Sequence, residues 1–317
     1  MTTGPAGPGE GADGTEVRSV RNVLVLTNPA AASGHAAKSA VPAVARLREH
    51  GLDVTTATGS DAADTLRLAR EAVGSGVDAL VVVGGDGMIS LALQAVAETP
   101  LPLGVIPAGT GNDLAREYGL PLRDPRAAAD VIAAGHVRRV DTGRIDTADG
   151  ASRLFGSVLA IGFDSLVSDR ANRLKRPRGR LKYHFAMIAE LAGLRPLPFR
   201  IVLDDGEEIR RDLTMASVGN TRSYGGGMLI CPDADPRDGL LDLTLVAALP
   251  RTRLIRFFPT VFSGTHVRHT AVSTHRATTV RIESPGINAY ADGDLAGPLP
   301  AVVRVVPRSV SLLVPGS

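Results

Sequence analysis

The chain has 317 residues, 44% of them hydrophobic and 21% charged, a balance that suits two globular domains and excludes a disordered chain. A net charge of +2 is too small to argue for a nucleic-acid partner, and none is expected. The single cysteine, Cys231, excludes an internal disulfide and a cysteine-rich zinc site and fits a reducing cytosol.

The first twenty residues are rich in Gly, Pro, Thr and Glu and lack the apolar core of a signal peptide, so 1–20 reads as a disordered tail. No stretch approaches the roughly 18 apolar residues of a membrane-spanning helix. Residues 22–28 form an apolar run ending at Asn28-Pro29 and read as a buried strand. A helix over 35–50 stops at Gly51, a strand follows at 52–57, and a second amphipathic helix covers 61–74. Ala79-Leu80-Val81-Val82-Val83 is apolar on both faces, as a strand inside a covered parallel sheet must be. A helix over 89–97, a strand over 102–106 and a helix from Leu114 complete four alternations, which predicts a doubly wound α/β domain. Beyond Val140 longer strands dominate, with 154–161, 199–203, 213–220 and 240–247 as examples. Helical patches lie at 164–174 and 180–194, and strict alternation returns at 279–283 and 301–306. The second half is therefore mainly β.

Open α/β sheets bind ligands beyond the carboxyl ends of their strands. Three loops of small residues fall there: 28–34, then Gly84-Gly85-Asp86-Gly87, then Pro107-Ala108-Gly109-Thr110-Gly111-Asn112-Asp113. Main-chain N–H groups freed by glycine, next to helix N-termini, suit phosphate oxygens. Asp86 would repel phosphate unless Mg²⁺ or water lies between them. Gly109-Thr110-Gly111 lacks the third glycine of a dinucleotide site, and Ala37-Lys38-Ser39 lacks the glycines of a P-loop. Asp292-Gly293-Asp294 offers two carboxylates for proton transfer, and it is equally a common turn dipeptide. An acidic loop, 232–242, suits a hard cation or is simply a solvated turn. Seven Lys and Arg crowd 170–182 beside apolar residues, a pattern for an anionic membrane or for a solvated face. His266, His269 and His275 match no standard zinc spacing.

Taken in order, the three loops resemble those of the diacylglycerol kinase catalytic-domain family, which includes bacterial lipid kinases and the sphingosine kinases. Tyr224-Gly225-Gly226-Gly227-Met228, 232–242 and Asp292-Gly293-Asp294 also look like family landmarks, so the likeness covers nearly the whole ordered chain. It implies an NAD kinase-like nucleotide-binding α/β domain over 21–142, with the strand near 300–315 left open as a completing element. A β-sandwich-like lipid-substrate domain then covers 143–299, with ATP between the two. It implies ATP contacts at Asn28, Thr58, Gly84, Gly85, Asp86, Gly87, Met88, Gly109, Thr110, Asn112 and Asp113, although Thr55 and Thr56 compete with Thr58. Met88 replaces the family's Thr, removing a hydroxyl. Asp292 and Asp294 stand at the catalytic Asp-Gly-Glu, where a water would serve the shorter Asp294 or Asp292 would act alone. A structural Mg²⁺ is implied on the carboxylate of Asp238 and the main-chain oxygens of Asp235 and Leu240. The resemblance further implies Mg²⁺ with ATP, a lipid alcohol acceptor such as diacylglycerol, a homodimer, and a cytoplasmic enzyme peripheral to the inner membrane face. An NAD or sugar kinase on the same scaffold, and a non-catalytic nucleotide- or lipid-binding regulator, stay open beside it.

Overall fold

A computed structural model describes residues 14–28, 35–174 and 180–316. The chain divides into two units, one holding the residues up to Val140 and from Arg308 on, the other Asp141–Pro307.

The first unit contains β1 (Thr15–Val17), β2 (Asn22–Thr27), α1 (His35–Glu49), β3 (Asp53–Thr58), α2 (Ala62–Val73), β4 (Ala79–Gly84), α3 (Asp86–Val96), β5 (Leu103–Pro107), α4 (Asp113–Glu117) and α5 (Pro125–Ala134). Residues 14–20, expected within a disordered tail, are ordered. Residues 1–13 lie outside the described residues, but β1 pairs antiparallel with the strand that follows α5, Thr15 opposite Arg138. Val20 is buried in the core, which supplies the apolar anchor that composition alone concealed. β4 pairs parallel with β2 and β5, and β2 with β3. Every residue of β4 is buried, and each fully buried Val or Leu contributes about 1.5–3 kcal/mol. One face of the sheet packs Val23, Val25, Val81 and Val83 with α1 and α5, the other packs Leu26, Leu80 and Val82 with α2 and α3. This is the doubly wound arrangement. The passage into α5 has no counterpart among the expected elements. Asp124 caps it by accepting from the N–H groups of Arg126 and Ala127, and Pro125 opens its first turn.

The chain enters the second unit along β6 (His136–Thr147). There follow β7 (Ser152–Phe155), β8 (Val158–Gly162), α6 (Phe163–Arg173), α7 (Arg180–Ala192), β9 (Leu197–Leu203), β10 (Glu207–Gly219), β11 (Leu241–Ala247), α8 (Arg251–Phe262), β12 (Val272–Ala277), β13 (Thr279–Glu283), β14 (Asn288–Ala291) and β15 (Asp294–Pro298). β16 (Ala301–Leu313) returns to the first unit, where Leu312 pairs with Leu103 of β5. Within the second unit the ladder runs β15-β14-β8-β10-β9-β13-β16, with β11 pairing both β10 and β12. Inward side chains such as Phe155, Ile161, Ile201, Leu213, Leu243 and Ile282 form one core. A second cluster beneath α6, α7 and α8 holds Phe163, Val167, Phe257 and Val261. The strand expected over 154–161 is two strands, broken at Gly156-Ser157, and the reason belongs to the site.

Candidate active site

At the carboxyl edge of the parallel sheet, the loops after β4 and β5 meet through glycine. A Cβ on Gly109 would stand 2.4 Å from the Gly85 Cα, and one on Gly85 2.8 Å from the Gly109 Cα. The two loops touch backbone to backbone, and Ala108 N–H donates to Gly84 O at 2.8 Å. Asn112 shapes the second loop from a left-handed conformation, φ 53°. Its Oδ1 accepts from Gly109 N–H at 3.0 Å and its Nδ2 donates to Gly109 O at 2.9 Å. Asp86 joins the loops, its Oδ1 accepting from the N–H groups of Asp113 at 2.7 Å and Leu114 at 3.4 Å. Burial, then the charge of Asp113, pushes the Asp86 carboxyl up, and those main-chain donors oppose the shift. One Asp86 oxygen is thus committed to the N-terminus of α4 rather than to a phosphate-bound cation. Asp113 is buried and holds Arg116 at 2.8 Å.

The glycine loop expected over 84–87 is already helix from Asp86. A Cβ on Gly87 would meet nothing within 4 Å, and Gly87 is exposed. It is the position where a ligand can approach the first turn of α3 without a side chain intervening. Met88 does not serve there: its side chain is in the core, 3% exposed, and its N–H donates to Gly85 O. Thr58 is the last residue of β3 and shares a hydrogen bond of 2.9 Å with Thr27 at the end of β2. Thr55 and Thr56 lie inside the strand, opposite Leu24 and Val25, whereas Thr58 stands at its carboxyl end. Asn28 is buried just after β2, Thr110 is exposed at its loop's tip, and the rest of the first loop, 29–34, lies outside the described residues.

The second unit carries the carboxylate. Asp292 and Gly293 join β14 to β15 with φ 51° and 86°, the paired left-handed geometry that favours Asp-Gly in a two-residue hairpin. The dipeptide is therefore a turn, and its Asp side chain is turned inward. Asp292 Oδ2 accepts from Gly156 N–H at 2.8 Å, and Oδ1 from Ser157 N–H at 2.8 Å and Ser157 Oγ at 2.5 Å. Those N–H groups have left the strand ladder to do this, which is why β7 and β8 are separate. Burial pushes the Asp292 carboxyl up, and the Ser157 hydroxyl and the two main-chain donors pull it back. Asn220, at the end of β10, braces the same pair: its Nδ2 donates to Gly156 O at 2.8 Å and Asp141 O at 3.0 Å, and its N–H to Ser157 O at 2.8 Å. Neither Asn220, Ser157 nor Asp141 was singled out in the sequence; an Asp amid the buried strand residues Val140 and Thr142 was the available signal. Asp294 is different in kind. It is exposed and held by Arg153 at 2.7 Å, so it does not share the donors of Asp292.

In the acidic loop, arginines pair with the carboxylates of Asp235 and Asp238. Asp238 gives one oxygen to Leu240 N–H at 3.0 Å and the other to Arg276, whose Nε also lies 3.5 Å from Asp242. The Asp235 main-chain oxygen accepts from Arg237 at 2.8 Å, and its carboxylate pairs with Arg237. The guanidinium of Arg276 is the cation on the Asp238 carboxylate in this structure, at the oxygen the expected metal would share with the main-chain oxygens of Asp235 and Leu240. The loop is tied to β6, Gly239 N–H donating to Asp141 Oδ2 at 2.9 Å. Of the basic segment, Lys175, Arg176 and Arg178 lie outside the described residues, as do the side chains of Arg180 and Lys182. Arg170 pairs with Glu190 across α6 and α7.

Residues 22–145 match the family model for the diacylglycerol kinase catalytic domain, and 156–314 that for the YegS C-terminal NAD kinase beta sandwich-like domain. A diacylglycerol kinase of Mycobacterium tuberculosis (strain ATCC 25618 / H37Rv) is 55% identical over 296 residues, covering 93% of this chain and 96% of that protein. The chain belongs to the diacylglycerol kinase family. It is a kinase with an alcohol acceptor. A more distant family member, the diacylglycerol kinase of Bacillus subtilis (strain 168), is 26% identical over 300 residues, covering 93% and 97% of the two chains. The crystal structure of a diacylglycerol kinase from Bacillus anthracis str. Sterne shares the family fold, with a TM-score of 0.71 at 20% identity over 94% of this chain and 98% of that one. Yeast NADH kinase complexed with NADH is similar at a TM-score of 0.54, with 11% identity over 95% and 86%, which shows the NAD kinase-like fold and nothing further.

Proposed function

We propose that this chain transfers the γ-phosphate of ATP to the free hydroxyl of diacylglycerol, giving phosphatidic acid. The observation that carries the reading is Asp292, a carboxylate fixed by three donors at a hairpin tip, its pKa raised by burial. The names of the relatives, at up to 55% identity, support diacylglycerol as the acceptor. In this mechanism the lipid hydroxyl donates to Asp292, which takes its proton as the new O–P bond forms and the bond to the β–γ bridging oxygen breaks, leaving ADP. The first turn of α3 at Gly87 and the tip at Thr110 would receive the phosphates through main-chain and hydroxyl donors. Magnesium enters as part of the nucleotide substrate, lowering the charge the transferred group carries.

An acceptor of this kind brings the enzyme to a membrane surface from the cytoplasmic side, as a peripheral protein; no described helix is long and apolar enough to cross. The test is label transfer from ATP, with Mg²⁺, into mixed micelles of diacylglycerol, monoacylglycerol, phosphatidylglycerol or sphingosine. Label in diacylglycerol that disappears with Asp292→Asn supports the reading. Label in another lipid replaces the acceptor, and turnover only with NAD or a sugar overturns the lipid-kinase assignment.

A further inference from the structure

Helix α8 has two apolar faces, and the protein covers one of them. Leu254, Phe257 and Val261 are buried in the cluster beneath α6 and α7. Ile255 and Phe262 stand on another side, 57% and 51% exposed, seven residues and hence two turns apart. The exposed Pro259 falls between them, and the Phe258 ring meets Phe262 edge-on at 6.0 Å. A surface helix ordinarily gives its uncovered sides to polar residues. Here the charged residues of the helix are all arginines. Arg251, on the side of Ile255 and Phe262, and Arg253 and Arg256 farther round are all exposed and have no acidic partner among the described residues. That sets them apart from the Arg67 of α2, held by Asp64 and Glu71. The sequence enforces the difference: no Asp or Glu stands between Asp242 and Glu283, while six arginines do.

We propose that α8 is the helix that docks this enzyme on an anionic phospholipid surface. Ile255 and Phe262 enter the boundary between headgroups and acyl chains, and Arg251, Arg253 and Arg256 bind lipid phosphates. The charge complementarity is specific in kind. Guanidinium groups recognise phosphate through paired N–H donors, and a bilayer supplies phosphate beside an apolar layer, which matches arginines set beside an isoleucine and a phenylalanine. The inference rests on the lipid-kinase reading, since an acceptor held in a bilayer is what gives docking its use.

The experiment sediments the full chain with vesicles of phosphatidylglycerol and phosphatidylcholine, or of phosphatidylcholine alone, containing no diacylglycerol, so that binding is read apart from chemistry. The wild type is expected to bind the anionic vesicles and to leave the neutral ones. Ile255→Ser/Phe262→Ser and Arg253→Glu/Arg256→Glu should each weaken binding about tenfold or more. Turnover of a short-chain, soluble diacylglycerol should stay within about twofold of wild type, because no residue of α8 belongs to the site. Ile255→Trp adds apolar area at the same place and should tighten binding, which keeps the test decisive if a double variant misfolds. Equal binding of all variants to anionic vesicles, or indifference of the wild type to lipid charge, overturns the proposal. Wild-type self-association through α8 without vesicle binding overturns it as well and assigns the face to a second copy. Vesicle binding that depends on α8, in a protein that phosphorylates no lipid, supports docking and removes the lipid-kinase reading.

Discussion

At the carboxyl edge of the parallel sheet the groups proposed to bind phosphate are main-chain N–H groups, and the side chains nearby, Asn112 and Asp86, are occupied in holding the backbone. At the β14–β15 hairpin the relation is inverted: the main chain of Gly156 and Ser157 is occupied in holding one side chain, Asp292. The difference follows from what each half must do. A phosphate needs several donors and no competing charge, which backbone supplies. A proton transfer needs one group of defined basicity, which backbone cannot supply. Substitutions should therefore act through shape in the first unit and through chemistry in the second.

The largest expected effect is at Asp292. Asp292→Asn keeps the size of the side chain and a carbonyl acceptor but removes the base, so kcat should fall by about 10²–10⁴ while ATP binding, followed by calorimetry, stays within about twofold. A loss of ATP binding in that variant would break the division between the two halves. Ser157→Ala sharpens it. The Ser157 hydroxyl favours the charged form of Asp292, so its removal leaves the carboxyl higher still. A base is lost as pH falls through its pKa, so the acid limb of the kcat/KM profile should move to higher pH.

Next come the glycines, which separate packing from ligand access. Gly109→Ala forces a Cβ to 2.4 Å from backbone and should cost about 1–3 kcal/mol in chemical denaturation. Gly87→Ala meets open space and sits in helical conformation, so stability should hold or rise by up to about 1 kcal/mol, while KM for ATP rises severalfold. Equal stability losses at both positions would mean that Gly87 is a packing glycine too.

This contrast also shows what was legible in the sequence. The α/β half was readable nearly throughout, because β4 is apolar on both faces and each helix has its own 3.6-residue pattern. Local pattern also marked the glycine loops as special. It could not show that Gly85 and Gly109 are glycine for each other's sake, since that contact joins residues 24 apart in sequence. Nor could it show that 154–161 breaks in the middle: Gly156-Ser157 looks like any strand interior until a carboxylate 135 residues on takes its N–H groups. The partner of the acidic loop was hidden for a like reason, because Arg276, on β12, is remote in sequence from Asp238 and nothing near Asp238 announces it.

A smaller effect is expected at Asp164, where burial pushes the carboxyl up to about 6 although the Tyr224 hydroxyl donates to it. Its folded pKa lies above its unfolded value near 3.8. The stability linked to the group is thus fully present below the unfolded value and is lost as pH rises through about 6. Asp164→Asn should remove that loss, so the variant gains on the wild type by about 1–2 kcal/mol between pH 4 and pH 7, read from urea midpoints at the two pH values. A wild-type stability that changes no more than the variant's over that interval would place the carboxylate in better contact with solvent than its surroundings suggest.

The smallest effect should fall at Thr58. Its hydroxyl bonds to Thr27 at the ends of two adjacent strands and remains exposed. Thr58→Val keeps the β-branched shape that suits a strand end and removes only the hydroxyl, so stability should change by less than about 0.5 kcal/mol. If the nucleotide reaches this edge of the sheet, KM for ATP should rise about two- to fivefold with kcat unchanged, the pattern of a contact made equally in ground and transition states. Thr56→Val supplies the control, because Thr56 lies within β3 opposite Val25 and away from the carboxyl end. An equal rise in KM from Thr56→Val would move the nucleotide off that end and onto the strand itself, whereas a rise from Thr58→Val alone ties ATP to the same edge as Gly87.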